Sequence, residues 1–347
     1  MPTYFKRIAK FTPTRLWINN VTPEEARLAI AAGAESCTQN PTYPYKMLTH
    51  PTHKAHALQL LDEIMTRESD DDAAQSALQL ALVAEIAEEF LPVYEATHGR
   101  GGYVTIQADP FKETVEYILK AARAHCAAAP NIMAKIPAIP AGLEAMKVLL
   151  REGLPLLATE IMSVAQAMDC AKIYQEAYSE MAAPPVMYMA HIPGIFDEQL
   201  GYEVTAQHID VPADYLHQGG VAVAKKIQQL VNNRGYAIGL CSGGARGLHH
   251  FTEMVGSQYA VTINWQGAAE TLLNEDGPVC NRFSCQADAE MLDELCYKVP
   301  SFRKAYEIHG LAPEEYTDFG PVGLFRQNFE AAWLKGRELI AARRKGA

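Results

Sequence analysis

Short apolar runs alternate with longer amphipathic segments along most of the chain. The runs predict strands at Arg15–Asn19, Ser36–Thr38, Tyr103–Gln107, Ile132–Ile136, Leu156–Ile161, Val186–His191, Tyr236–Cys241 and Tyr259–Asn264. Amphipathic helices are predicted between most of them, for example Pro23–Ala32, Pro110–Ala127, Ala141–Glu152 and Val164–Met181. The strands are continuously apolar, as expected of parallel strands covered on both faces. Strand–helix alternation implies a parallel sheet with right-handed crossovers, and eight such units favour a closed (β/α)8 TIM barrel over an open doubly wound sheet.

Two segments exceed a minimal barrel. The first, around 51–98, reads as helical and is interrupted by the polar stretch Arg67-Glu-Ser-Asp-Asp-Asp72. The second, from about residue 287, is helical and ends in the basic stretch Ala341–Ala347. No repeat, low-complexity tract or linker divides the chain, so residues 1–347 are expected to form one barrel domain with a helical insertion and a helical extension. Pro184–Pro185 reads as a loop entering a strand.

Composition narrows the function classes. A chain of 347 residues with 49% hydrophobic and 20% charged positions has the profile of an ordinary globular protein. Its net charge of −11 argues against nucleic acid or an anionic membrane as partner, though a local basic pocket can still bind a small anion. The seven cysteines are scattered and form no CxxC pair, so neither a zinc ribbon nor a disulfide framework is expected. Reduced thiols, an N-terminus without a signal-peptide core and no 18-residue apolar stretch point to a cytoplasmic location.

Functional side chains of a barrel gather at the C-terminal ends of its strands. There Lys135 interrupts Asn131-Ile-Met-Ala-Lys-Ile-Pro-Ala138, otherwise an apolar strand. Such a lysine must snorkel, pair with a carboxylate or lose its proton. In the last case the neutral amine is a nucleophile toward a ketone or aldehyde.

That strand, with the following Gly142-Leu-Glu-Ala-Met-Lys-Val-Leu-Leu-Arg-Glu-Gly153, resembles the transaldolase strand that carries the Schiff-base lysine. Leu156-Leu-Ala-Thr159 with Ser163-Val-Ala-Gln166, Thr38-Gln-Asn40-Pro-Thr42, Leu16-Trp-Ile-Asn19 and Val104-Thr-Ile-Gln107-Ala-Asp109-Pro resemble further segments of that family, in family order from about residue 15 to 270. The resemblance implies roles residue by residue. Lys135 would form the imine, Thr159 would hold the water that relays protons, Asn40 would bind substrate hydroxyls, and Ser242 would bind substrate.

The departures carry equal weight. Asn19 stands where the family has its aspartate acid/base, and an amide cannot take a proton. Gln107 stands where transaldolases have glutamate. The related fructose-6-phosphate aldolases have glutamine there, and Leu157 matches their leucine, but their tyrosine is Ile192 here. Ile195 replaces an arginine of the phosphate clamp. His191, ending the sixth strand, is either a substitute general base or a histidine bonded to a loop carbonyl. Glu160 follows Thr159, so strand alternation directs it away from substrate, toward a helix and a partner there. Asp109 reads as structural. Arg246, in Cys241-Ser-Gly-Gly-Ala-Arg246-Gly after the seventh strand, is either a remaining anion contact or part of a surface turn.

The expected function is transaldolase-like: making or breaking a C–C bond next to a ketone through a lysine Schiff base, with no metal or other cofactor. Two alternatives stand beside it: a related lysine-dependent condensation, dehydration or isomerisation, and an inactive barrel that serves as a binding protein. The expected partner is a small carbonyl or sugar molecule, with nucleic acid and membrane excluded and homo-oligomerisation left open.

Overall fold

The structure, a computed structural model, describes residues 2–346. Eight strands form a closed barrel in sequence order: β1 (Arg15–Asn19), β2 (Ala34–Thr38), β3 (Val104–Gln107), β4 (Ile132–Pro137), β5 (Leu156–Ile161), β6 (Met187–His191), β7 (Gly239–Ser242) and β8 (Tyr259–Asn264). Every neighbouring pair is parallel, and β8 closes on β1. This is the (β/α)8 arrangement expected from the alternation.

Local chemistry sets the element boundaries. The helix Pro23–Ala32 starts with a capping box, Thr22 and Glu25 each accepting from the other's backbone N–H. It stops at Gly33, whose φ of 114° suits glycine. The chain then enters β2 at once, two residues earlier than predicted. The helix predicted from Pro110 begins at Val115, because Asp109 and Thr114 hold the intervening residues in a capped loop. Strand β7 begins at Gly239 and not at Tyr236. The space a Cβ would need at Gly239 is taken by the Tyr188 ring, 2.5 Å away.

The additional helices pack on one another. Helices Lys54–Met65 and Asp71–Ala96 follow β2, and Gly320–Arg344 ends the described chain. The Asp71–Ala96 and Gly320–Arg344 helices run antiparallel, so the acidic first turn of one meets the basic last turns of the other, a favourable dipole arrangement. Arg337 pairs with Asp72, Arg343 with Asp62 and Arg344 with Asp71. Between the helices, Gln75 donates to the Trp333 carbonyl at 3.0 Å, beside Gly336, where a Cβ would sit 2.9 Å from the Gln75 amide oxygen. Exposed ion pairs stabilise little singly. The buried contacts fix the angle of the terminal helix, which lays Phe325 and Phe329 over the C-terminal end of the barrel.

Candidate active site

At that end lies a pocket of about 190 Å³. Its floor is polar, with Asn19, Thr38, Lys135, Thr159 and Thr262 from β1, β2, β4, β5 and β8, and Asn40 from the turn after β2. Its walls and roof are largely apolar, with Leu157, Ala190, Ile192, Ile195, Phe325 and Phe329.

Lys135 is 8% exposed. Its Nζ lies 5.6 Å from the centre of the Phe325 ring and 5.2 Å from that of Phe329. Burial lowers the pKa of its amine to about 8, while the charge of Glu160 pulls it back upward. About a tenth of the amine is then neutral at pH 7, far more than in an ordinary lysine.

On the floor, Thr38 donates to Asn19 Oδ1 at 3.0 Å and shares a 2.8 Å bond with the Thr262 hydroxyl, and Asn19 donates to Asn264 at 2.8 Å. Asn19 is thus fixed by its neighbours. Asn40 Oδ1 accepts from Asn20, from the Thr42 N–H and from the Thr42 hydroxyl. What Asn40 can offer a hydroxyl in the pocket is its amide N–H.

Gln107 is the register neighbour of Lys135 on the adjacent strand. It lies outside the residues lining the pocket and donates to Glu160 Oε1 at 2.9 Å. Among the described residues, Gln107 Oε1, Thr159 Oγ1 and Glu160 Oε2 are buried without a hydrogen-bond partner. Buried polar atoms usually find partners, so a cluster of free ones beside a pocket is characteristic of a site.

Three expectations need correction. Ser242 does not face the pocket: Cys241 lines it, and Ser242 pairs in register with His191 on the opposite side of the sheet. Burial raises the Cys241 thiol to about 12, so it is neutral. His191 is also turned away from the pocket. Its Nδ1 lies 2.9 Å from the Ile161 carbonyl and its Nε2 3.0 Å from the Gly220 carbonyl, and burial lowers its pKa to about 4. The neutral ring has one N–H and donates to one of these carbonyls, so His191 matches the carbonyl-bonded alternative, with neither nitrogen facing the pocket. Glu160 does not follow the alternation. The β5–β6 ladder shifts between Ala158 and Ile161, and Glu160 has a φ of 61°. This bulge sends its carboxylate across β4 to Gln107 and not into the helix layer outside β5.

Arg246 lines the pocket, but its guanidinium is already held by Glu198 at 2.7 Å. The loop before it requires glycine: Gly244 has a φ of 65°, and a Cβ there would meet Ile192 at 2.4 Å. The helix after it, His249–Thr252, is a single turn and adds little dipole for an anion.

Sequence reasoning missed Phe325, Asn328 and Phe329, which line the pocket from the terminal helix. The spacing of Phe325 and Phe329 by four was a visible sign of one helical face. Nothing in the sequence located the surface that face covers.

One cluster of metal-ligand type occurs among the described residues, Asp197, His249 and His250, in a separate cavity of about 350 Å³. His250 Nδ1 accepts from the Arg246 N–H at 3.3 Å, so its proton is on Nε2, which donates to Asp197 at 3.0 Å. A metal would have to displace that buried bond.

The family model described as Transaldolase/Fructose-6-phosphate aldolase matches residues 16–311. The chain belongs to this family. Transaldolases from Thiobacillus denitrificans, Trichodesmium erythraeum and Neisseria gonorrhoeae are 25%, 35% and 23% identical to it, over 177, 104 and 226 residues. These matches cover 48%, 29% and 62% of this chain and 48%, 27% and 62% of those proteins, under two thirds in each case. In this transaldolase/fructose-6-phosphate aldolase family member, the matched span ends before the Gly320–Arg344 helix that roofs the pocket. No helix among the described residues is long and apolar enough to cross a membrane.

Proposed function

We propose that the protein is a transaldolase-like enzyme that makes or breaks a C–C bond next to a ketone through an imine on Lys135. The observation that carries this reading is the buried Lys135 amine, lowered to about 8, at the polar floor of the barrel pocket. The neutral amine attacks the carbonyl carbon, water leaves, and the resulting iminium accepts the electron pair of the neighbouring C–C bond. Asn40 orients a hydroxyl by donating to it, and Thr159 offers a free hydroxyl beside the imine for proton relay. Asn19, already fixed in its amide network, orients but does not take a proton.

The substrate is a ketose-like molecule. Arg246, released from Glu198, is the group available for an anionic distal end, while Ile192 and Ile195 present an apolar wall. A ketose incubated with an aldehyde acceptor, with products followed by mass, tests the reaction type. A new ketose formed only when the acceptor is present identifies a transferase, and release of an aldehyde without it identifies an aldolase. Neither product across a broad panel would remove C–C bond chemistry. The amides at Asn19 and Gln107 favour a second reading, a lysine-dependent dehydration or isomerisation that shares the imine. Its products keep the carbon count of the substrate.

A further inference from the structure

Glu160 is the most unusual residue near the pocket. A residue with a side chain holds a φ of 61° only where its surroundings require it. The requirement here is visible. Gln166 Nε2 donates to the carbonyls of Glu160 at 3.1 Å and Ala138 at 2.9 Å, while its Oε1 accepts from the Met162 N–H and the Ser163 hydroxyl. The Ala138 N–H donates to the Thr159 carbonyl at 2.7 Å. A buried glutamine thus clamps the bulge, with the consequence that a carboxylate is turned off its regular path.

That carboxylate is fully buried. Gln107 holds one oxygen, and the other has no partner among the described residues. The charged groups facing it are Lys135 on β4, Glu113 on the loop after β3, and Arg326 and Glu330 on the roof helix. Glu113 pairs with Arg326 at 3.6 Å. Lys135 in turn is faced by Glu160, by the Cys241 thiol and by the two phenylalanine rings.

A proton that passes from Lys135 to a carboxylate of this same group, and not to solvent, leaves the group's net charge unchanged, so no new charge is created in a desolvated place.

We propose that Glu160 is a positioning carboxylate for Lys135: bonded to Gln107, the register neighbour of Lys135, and not itself lining the pocket, it acts through a relay water, with Glu113 behind it, to take the amine's proton before attack and to return one for the loss of water. The role is the one that the amides Asn19 and Gln107 cannot fill. It rests on the Schiff-base reading above. The proton balance closes: the ammonium gives one proton to the carboxylate, the neutral amine adds to the carbonyl, and the carboxyl gives one proton to the departing hydroxyl, so that iminium and water form with Glu160 ionised again. Burial raises the carboxyls of Glu160 and Glu113 and lowers the Lys135 amine, which draws the proton affinities of acid and amine toward one another.

The test reads Lys135 without substrate. Competitive labelling with trace acetic anhydride across a pH series, with the Lys135 peptide quantified by mass, gives the midpoint of its amine. E160Q removes the facing negative charge, so the midpoint should fall by about one unit or more. Imine formation at neutral pH, trapped with borohydride, should still slow by roughly 10²-fold, because the loss of the proton donor for the departing water outweighs the larger neutral fraction of the amine. The exchange variant Q107E/E160Q keeps the buried amide–carboxylate bond with the charge on β3, and should restore both values toward wild type. It also serves if E160Q alone does not fold. An unmoved midpoint in folded E160Q, with imine formation within a few-fold of wild type, overturns the proposal. If E160Q does not fold, an exchange variant that folds but forms the imine as slowly as roughly 10²-fold below wild type does so. A wild type that labels normally but traps no ketose removes the Schiff-base reading instead, and the proton role with it.

Discussion

The two sides of the pocket differ in kind. The β3–β5 side presents Lys135 and Thr159, with Gln107 and Glu160 behind them, all buried, with free polar atoms and charge kept away from water. The β6–β7 side offers Ala190, Ile192, Ile195, Cys241 and two glycines, and its one charged group, Arg246, is already ion-paired at the rim. The first side is arranged for proton and electron movement, the second for shape. On the function proposed above, reaction and recognition rest on separate walls, so one can change while the other stays. Ile195, where the resemblance would place a clamp arginine, lies on the second.

If the walls are separate, substitutions on each should affect different kinetic parameters. The largest effect is expected on the first side. Thr159→Val keeps the volume and removes the free hydroxyl. It should slow imine formation about 10²–10³-fold in single-turnover trapping, with substrate affinity little changed. A rate within a few-fold of wild type would move proton relay away from β5.

On the second side, Ile195→Arg supplies a guanidinium beside Arg246. A charge-assisted hydrogen bond stabilises by about 1.5–3 kcal/mol, so kcat/KM for a phosphorylated ketose should rise roughly 10- to 100-fold relative to its unphosphorylated counterpart. The ratio is taken within one variant, so a loss of overall stability cancels. An unchanged ratio would show that the distal end of the substrate does not lie against Ile195.

The roof joins both sides. In the free enzyme kcat/KM should rise through a single limb near pH 8, because below it a growing share of Lys135 is protonated and must first give up its proton. Phe329→Ala admits water to the amine, and relief of burial should raise that limb toward the ordinary lysine value. The rate at pH 7 should then fall by about tenfold for each unit of the shift. A wild-type limb near the ordinary lysine value would contradict the roof's role. The smallest catalytic effect is expected at His191, which faces neither side. His191→Asn should leave kcat within a few-fold and reduce stability by about 1–3 kcal/mol in denaturant melts, through the loss of its bond to a backbone carbonyl. A hundredfold loss of rate in a folded variant would return His191 to the mechanism.

The barrel was legible because its strands are continuous apolar runs, and β1, β5 and β8 begin and end where the pattern places them. The pocket position of Lys135 followed from one cation in an apolar strand. Ser242 was misplaced by a single residue, and one residue inverts the face of a strand, so Cys241 lines the pocket instead. Glu160 was illegible for a related reason: alternation assumes an unbroken ladder, and the bulge depends on Gln166, six positions away, folding back as a clamp. The roof was illegible because an amphipathic helix declares that it covers something, while its target depends on the Gln75–Trp333 contact and on ion pairs to a helix more than two hundred residues earlier.

The central claim is that Lys135 is the nucleophile of the site. Its most direct test is to reduce the protein with borohydride in the presence of a ketose panel, digest it and locate the adduct by peptide mass. The adduct should fall on the Lys135 peptide, carry the mass of the ketose or its three-carbon fragment less oxygen, and be absent in K135M. An adduct confined to surface lysines, or one of equal yield in K135M, would contradict it.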